Sequence, residues 1–113
     1  MAPWLLDDDG HPARVRRTLD VPLGHDDGGP PETASARVAT IAGAQIGIWS
    51  IEVGEAFDVE AEEVALILAG SATIEIEGLA PLKIAAGDIL SLEAGVATRW
   101  IVHERLTKVF ITQ

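Results

Sequence analysis

The sequence predicts an all-β domain, a sandwich or a barrel, from three observations. Short runs rich in Ile, Val, Leu and Trp recur from Thr40 onward. Glycines at fairly even intervals separate these runs, as they do between short strands. No segment shows the sustained 3.6-residue periodicity of a long helix. Many short strands joined by turns are typical of antiparallel sandwiches and barrels.

The first predicted strands lie between Thr40 and Gly78. The run AQIGIWSIEV is apolar and ends before Gly54. In EVALILAGSATIEIEG, residues 64–69 are apolar on both faces, which predicts a central strand. The second half alternates apolar and polar residues, which predicts a strand with one solvated face. EGLAP then predicts a hairpin connection.

The C-terminal third continues in the same way. LKIAAGDILSL predicts two short strands around Gly87, and EAGVA predicts a turn. TRWIV predicts a strand, HER a turn, and LTKVFITQ a terminal strand. Residues 1–38 mix acids, Gly and Pro, which predicts an N-terminal arm, extended or looped. Within it, VRRTLDVPL reads as one extended segment. Residues 39–113 form the predicted barrel domain.

The bulk composition limits both class and partners. A chain of 113 residues fits one domain with a modest core. The absence of Cys excludes disulfides, thiolate metal sites and a Cys nucleophile. A net charge of −10 disfavours binding to nucleic acid or to anionic membranes. The N-terminus lacks the pattern of a signal peptide, and no run approaches the roughly 20 apolar residues of a membrane span. We therefore expect a cytoplasmic protein.

The stretch GDILSLEAGVATRW resembles the second signature motif of the cupins, G-x5-P-x-G-x2-H-x3-N. Gly87 and Gly95 stand at its two glycines. Glu93 stands at the Pro position, Thr98 at the His and Val102 at the Asn. The glycines suit turns whether or not a metal binds.

The first cupin motif, G-x5-H-x-H-x3–4-E-x6-G, is matched from its C-terminal end. Glu63 keeps the E-x6-G spacing. Counting back, the two His positions fall on Phe57 and Val59. With the longer spacing they fall on Ala56 and Asp58. No His stands at any of these positions.

Four patterns, in order, resemble one subgroup of small single-domain cupins. They are IGIWSIEVGEAF, EEVALILAGSATI, AAGDILSLEAG and TRWIVHERLTKVFI. The subgroup is related to ureidoglycine aminohydrolase and to the ethanolamine-utilisation Q-type cupins. Its members carry two strand tryptophans and a Lys in the last strand, here Trp49, Trp100 and Lys108. The resemblance implies an RmlC-like double-stranded β-helix, a jelly-roll barrel, that pairs as a homodimer.

The metal site of the family is the main departure. A site with three His and one Glu needs imidazole nitrogens near the metal. His11, His25 and His103 all lie outside the motif positions, and only Glu63 remains of the four usual ligands. We therefore expect no cofactor and no tightly held transition metal. The alternative is a divalent metal held by atypical ligands.

The predicted site centres on Glu63, which alternation directs into the barrel. A buried carboxylate needs a partner, and Lys108 is the first candidate. Glu63 is the candidate catalytic residue, as a ligand-contacting or proton-transferring acid. The competing interpretation is a structural ion pair with tryptophans that only fill the core. The predicted ligand-binding pocket consists of Trp49, Phe57, Val59, Glu63, Thr98, Trp100 and Lys108.

A second group of acids lies in FDVEAEEV. Alternation puts Asp58, Glu60 and Glu62 on one strand face, opposite Glu63. Three carboxylates could hold a hard cation such as Ca²⁺ or Mn²⁺. The competing interpretation, which we favour, is a solvated acidic edge that discourages edge pairing.

Three functions remain open from the sequence. The first is binding of a small organic molecule in the barrel without a tightly held transition metal. The second is a metal-dependent enzyme acting on a ureide-like or small carbonyl compound, with ligands such as Asp58 or an arm His from a partner chain. The third is a non-catalytic structural or regulatory dimer. One fold hosts many chemistries, so the site must decide between them.

Overall fold

A computed structural model describes residues 13–113 of the chain. Among these residues, a 3₁₀ turn, Thr18–Asp20, precedes the sheet. Within residues 13–113, no helix has the length and apolar character needed to cross a membrane. The strands are β1 (Gly24–His25), β2 (Thr33–Ile41), β3 (Ala44–Ile51), β4 (Gly54–Val59), β5 (Glu63–Glu75), β6 (Leu82–Ala85), β7 (Ile89–Leu92) and β8 (Ala97–Thr112). The prediction of an all-β fold is confirmed.

Two long strands organise the barrel. The eight strands form one antiparallel sheet in the order β1-β2-β3-β8-β5-β6, with β4 added to β8 and β7 added to β5. The first half of β8 pairs with β4 and its second half with β3. The first half of β5 pairs with β7 and its second half with β6. The sheet therefore folds over itself into two layers, as a jelly-roll barrel does.

The bend in β5 lies at Gly70. The register between β5 and β8 shifts repeatedly between Ile67 and Ala72. Gly70 has φ +85°, and a Cβ at this position would lie 2.0 Å from the carbonyl oxygen of Arg105. Only glycine fits this close approach of the two backbones. Irregular pairing at this point lets each strand contribute to both layers without a turn.

One sequence prediction about these strands is therefore wrong. HER, residues 103–105, is not a turn but the middle of the continuous strand β8. Residues 64–69 belong to a central strand, as predicted, but its two faces differ in burial. Ala65 and Ile67 are buried, whereas Val64 and Leu66 remain 45% and 42% exposed on the outside of the barrel.

The short turns follow the glycines as predicted. β6 and β7 flank Gly87, which has φ +95°. The Asp88 carboxylate accepts a hydrogen bond from the Ala85 backbone N–H at 2.8 Å, which closes this turn. The turn also joins β5, because the Gly87 N–H donates to the Ile67 carbonyl at 2.8 Å.

The core lies between the two layers. Strand alternation directs one side chain in two into the barrel, and these inward residues are mostly aliphatic. Trp100 is 4% exposed in this core. Its main aliphatic members are Ile51, Ile67, Ile74, Val102 and Leu106.

The N-terminal arm joins the barrel by way of β2. This strand spans the predicted boundary between residues 38 and 39, so residues 33–38 lie in the sheet beside β3. The Asp26 carboxylate accepts hydrogen bonds from the hydroxyls of Thr33 and Ser35. VRRTLDVPL is not one extended segment, because the 3₁₀ turn Thr18–Asp20 interrupts it. Residues 1–12, including His11, lie outside the described residues.

Candidate functional site

A buried ion pair lies inside the barrel. The Lys108 ammonium donates to the Glu63 carboxylate, with Nζ 2.5 Å from Oε2. The Lys108 side chain is 8% exposed and that of Glu63 is 17% exposed. The predicted pairing of these two residues is confirmed. Because a buried charge is costly without a partner, each residue supplies the countercharge that the other needs.

Two tryptophans enclose the same ammonium. Nζ of Lys108 lies 4.6 Å from the ring centroid of Trp49 and 5.2 Å from that of Trp100. The two rings meet edge to face, with centroids 5.9 Å apart. Cations bind aromatic faces at such distances. The charge on Lys108 is thus stabilised by one carboxylate and two rings.

Strand register explains why these residues meet. Trp49 of β3 and Ile67 of β5 lie opposite Lys108 on either side of β8. Directly paired residues point to the same face of a sheet. Trp100 points inward from the other half of β8, as alternation with Thr98 and Val102 predicts. Lys108 itself stands between inward Leu106 and Phe110.

Glu60 is a site residue that the sequence analysis placed wrongly. Extrapolated alternation put Glu60 on the face opposite Glu63, but both line the same cavity. Strand β4 ends before Glu60, whose backbone N–H donates to the Val96 carbonyl at 2.8 Å. The chain reorients there before β5 begins. The acidic run after a strand end could have signalled that alternation need not continue.

The Glu60 carboxylate lies in a partly apolar environment. It accepts a hydrogen bond from the Thr98 hydroxyl, at 3.3 Å. Burial raises the pKa of Glu60 above its ordinary value, and the neighbouring Asp58 and Glu63 carboxylates raise it further. Lys108 and the Thr98 hydroxyl act in the opposite direction without cancelling the rise. The site therefore disfavours a second negative charge beside Glu63.

A cavity of about 580 Å³ opens beside the ion pair. A volume of this size accommodates a small organic molecule. Six of the seven predicted pocket residues line it, whereas Thr98 lies behind Glu60 and contacts the cavity through it. The predicted residues that line the cavity are Trp49, Phe57, Val59, Glu63, Trp100 and Lys108.

The two possible positions of the motif histidines lie on opposite faces of β4. Ala56 pairs with Trp100 and Asp58 with Thr98, so both lie on the inward face. Phe57 and Val59 lie on the other face. They are 78% and 67% exposed and reach the cavity only at its rim. The longer motif spacing therefore matches the direction of this strand.

Arg99 and the two described histidines do not line this cavity. The Arg99 guanidinium forms ion pairs with Glu55 and Glu75 on the outside of the barrel, at 2.8 and 2.7 Å. His103 lies on an exposed part of β8, where its Nε2 is 2.8 Å from the Thr73 hydroxyl oxygen. His25 lies in the arm strand β1.

The donor set does not fit a transition metal. Glu63 is already engaged by Lys108, and Ala56 and Thr98 stand where inward imidazoles would be needed. No group of three or more His, Cys, Asp or Glu suited to hold a metal occurs within residues 13–113. The suggested cluster of Asp58, Glu60 and Glu62 is also not formed, since Glu62 does not line the cavity.

Solved structures with the same fold include proteins of the ethanolamine-utilisation Q type. The EutQ protein of Clostridium difficile aligns with a TM-score of 0.68 at 15% identity, over 81% of this chain and 79% of that one. A putative ethanolamine utilization protein Q of Salmonella typhimurium aligns with a TM-score of 0.67 at 16% identity, over 80% and 76%. At these identities the likeness concerns the fold.

A third structure has higher identity over a shorter length. A DUF861 family protein of Thermotoga maritima is 28% identical, with a TM-score of 0.56, over 58% of this chain and 76% of that one. No curated protein matches the chain. The EutQ-like cupin domain family matches residues 40–110, which include all the residues of the ion pair and its aromatic walls. The chain therefore belongs to the EutQ-like cupin domain family.

Proposed function

We propose that this cupin domain binds a small organic molecule in its barrel without a tightly held transition metal. The observation that carries the proposal is the cavity of about 580 Å³ beside the pair of Lys108 and Glu63. Its walls combine aromatic rings with a few convergent polar groups, the usual composition of a ligand pocket. As part of the same proposal, the protein is related to the cupins of the ureidoglycine aminohydrolase subgroup and has lost the histidines of their metal site.

The arrangement supports binding better than general acid–base chemistry at Glu63. The Glu63 carboxylate already accepts a charge-assisted hydrogen bond from Lys108. Since Lys108 is fixed by Glu63 and two rings, both residues are better suited to shaping the pocket than to exchanging protons.

Fragment binding observed by NMR tests this proposal. The assigned indole N–H signals of Trp49 and Trp100 report on the cavity, which both side chains line. We expect fragments to shift these signals in the natural protein and not in Ala56→Phe, whose added ring would occupy the cavity. If a diverse fragment set shifts neither signal, or if the shifts persist in Ala56→Phe, the proposal is wrong.

We also propose that the protein is a homodimer that pairs through the outer face of one layer. The outward side chains of β3, β8, β5 and β7 form one apolar surface in the sheet register. Large exposed apolar patches on soluble proteins mark interaction sites. We name this set the outer apolar face; its residues are Ile46, Val64, Leu66, Ile89, Val109 and Ile111.

Charge supports a second copy as the occupant of the outer apolar face. The chain carries −10, so two copies repel through most of their surfaces. The outer apolar face itself bears no charged side chain, and a two-fold axis brings it against itself. Beside it runs a groove of about 540 Å³ between the arm and the sheet, lined in part by Leu19, Val21 and Leu23. This groove enlarges the apolar surface toward the roughly 800 Å² of accessible surface that each partner buries in a stable dimer.

Light scattering after size exclusion tests the dimer. We expect the natural protein to be dimeric and Leu66→Glu to be monomeric. Leu79→Glu is the matched control, because Leu79 is 61% exposed but lies in the hairpin after β5, away from the outer apolar face. A monomeric natural protein, or an unchanged dimer in Leu66→Glu, would contradict this pairing.

The remaining proposals concern location and partners. We propose a cytoplasmic protein that binds neither nucleic acid nor membranes. The net charge of −10 supports this, because phosphate backbones and anionic lipids repel an acidic surface.

A further inference from the structure

The charges that line the cavity do not balance. The carboxylates of Asp58, Glu60 and Glu63 line it, together with the ammonium of Lys108. Lys108 and Glu63 neutralise each other at 2.5 Å. Within residues 13–113, no Lys or Arg lies within ion-pair distance of Glu60 or Asp58. The part of the cavity beside Glu60 therefore keeps an excess of negative charge.

Glu60 is the better placed of the two unpaired carboxylates. Asp58 is exposed, and its carboxylate accepts the backbone N–H of Val59 at 2.8 Å. Glu60 is partly buried, and its carboxylate accepts a hydrogen bond from the Thr98 hydroxyl. A carboxylate has about four acceptor positions, so Glu60 can accept further donors. The remaining acceptor capacity is available to a ligand in the cavity.

The aromatic walls favour a positive charge. The rings of Trp49 and Trp100 already hold one ammonium, that of Lys108, at cation–π distances. A ring presents a negative face to any cation near it. Carboxylates and ring faces together repel an anion and attract a cation. The same walls also offer apolar contact to the carbon skeleton of a ligand.

We propose that the ligand of this cavity is a small organic ammonium compound, whose charged nitrogen donates to the carboxylate of Glu60 and whose apolar part lies against the ring of Trp100. This inference rests on the proposed small-molecule site and adds the chemical class of its occupant. Lys108 and Glu63 form the neutral inner wall, and Thr98 holds the Glu60 carboxylate in place. The raised pKa of Glu60, caused mainly by burial, is consistent with a carboxylate that lacks a cation.

Three probes of the same size distinguish ligand charge. Benzylamine, benzyl alcohol and benzoate share one ring and differ in charge, and each is titrated against the full chain at neutral pH and constant ionic strength. The assigned indole N–H signals of Trp49 and Trp100 report on binding. We expect benzylamine to bind at least tenfold more tightly than benzyl alcohol, as a charge-assisted hydrogen bond allows. Benzoate should bind more weakly than either.

Two variants test whether Glu60 is responsible for the tighter binding of benzylamine. Glu60→Gln should reduce the affinity for benzylamine at least tenfold and leave that for benzyl alcohol nearly unchanged. Glu62→Gln is the matched control, since it removes the same charge from an exposed residue that does not line the cavity. It should leave the preference for benzylamine intact. Circular dichroism confirms that both variants fold.

The outcomes separate this inference from the proposal on which it rests. If benzyl alcohol or benzoate binds as tightly as benzylamine, the ammonium class is wrong while small-molecule binding stands. If Glu60→Gln still binds benzylamine more tightly than benzyl alcohol, another group binds the ammonium and the assignment to Glu60 is wrong. If none of the three probes shifts either signal, and the fragment set also fails, both proposals are overturned.

Discussion

The Lys108 ammonium lies 2.5 Å from the Glu63 carboxylate and between two indole rings, so the only buried Lys among residues 13–113 is satisfied within its own barrel. In a metal-binding cupin, the corresponding Glu faces a metal cation, as the motif resemblance implies. Here an ammonium supplies the positive charge. The Glu63 carboxylate therefore has a countercharge at its inward position.

Removing one member of this pair should destabilise the fold. Lys108→Met keeps the contacts with the rings of Trp49 and Trp100 but leaves Glu63 without its countercharge. We expect a loss of about 3 kcal/mol in the free energy of unfolding, the lower end for broken buried pairs because Glu63 keeps 17% exposure. Urea denaturation measures the loss.

The matched double variant, Glu63→Leu with Lys108→Met, removes both charges together. It should lie within about 1 kcal/mol of the natural protein, because an apolar replacement of a buried pair is often neutral. If the single and double variants lose the same free energy of unfolding, the packing of the aliphatic parts of Lys108 and Glu63, and not their charge, stabilises the barrel at this site.

The bend of β5 should depend on Gly70. Gly70 and Gly78 both have positive φ, +85° and +84°, but only at Gly70 does a Cβ meet backbone, 2.0 Å from the Arg105 carbonyl oxygen. A left-handed Ala costs about 1–2 kcal/mol at either residue. We expect Gly78→Ala to lose only that, and Gly70→Ala to lose at least about 3 kcal/mol or fail to fold, because the overlap adds to the backbone cost. Thermal unfolding of the two variants measures the difference, and similar melting temperatures would contradict the bend as described.

Much of the fold could be predicted from the sequence because glycines mark its turns. Gly78, Gly87 and Gly95 adopt positive φ where turns were expected. The continuity of β8 through residues 103–105 could not be predicted. Its polar HER segment looks like a turn, but the irregular register opposite Gly70 keeps it paired. That pairing is a long-range backbone contact, which local sequence patterns do not specify.

The site was predictable to the extent that its residues lie on strands. Alternation directed Glu63, Trp100 and Lys108 inward, and motif order placed Trp49 near them. Glu60 was misplaced because alternation was carried across the break between β4 and β5 to Glu63, and the period of two does not hold through that break. The cavity itself depends on how two layers close over each other, which strand patterns do not specify.

Purified protein should contain far less than one transition metal ion per chain. The inward residues at the motif positions are Ala56, Asp58 and Thr98, which offer no imidazole, and Lys108 competes for Glu63. Elemental analysis of untagged protein, prepared without added metal, measures the content. Dialysis against Zn²⁺ followed by buffer provides the control for weak binding. Stoichiometric Mn, Fe, Ni or Zn would contradict this prediction and favour the metal-dependent alternative.

The stability of the fold should report the environment of Glu60. Its pKa is raised in the folded protein, first by burial and then by Asp58 and Glu63, so folding disfavours the ionised form. The resulting loss of stability is present above the raised pKa and disappears as pH falls through that value toward the ordinary one.

Glu60→Gln, whose amide oxygen can still accept from Thr98, should therefore be more stable than the natural protein at pH 8. The two should converge near pH 4, where Glu60 is largely protonated in both states. Urea denaturation of both proteins across this range gives the difference in the free energy of unfolding at each pH. Glu62→Gln, at an exposed residue that does not line the cavity, is the matched control for the loss of one carboxylate. A gap that stays constant from pH 4 to 8 would mean that burial does not penalise the Glu60 charge, and it would remove one support for an unpaired carboxylate in the cavity.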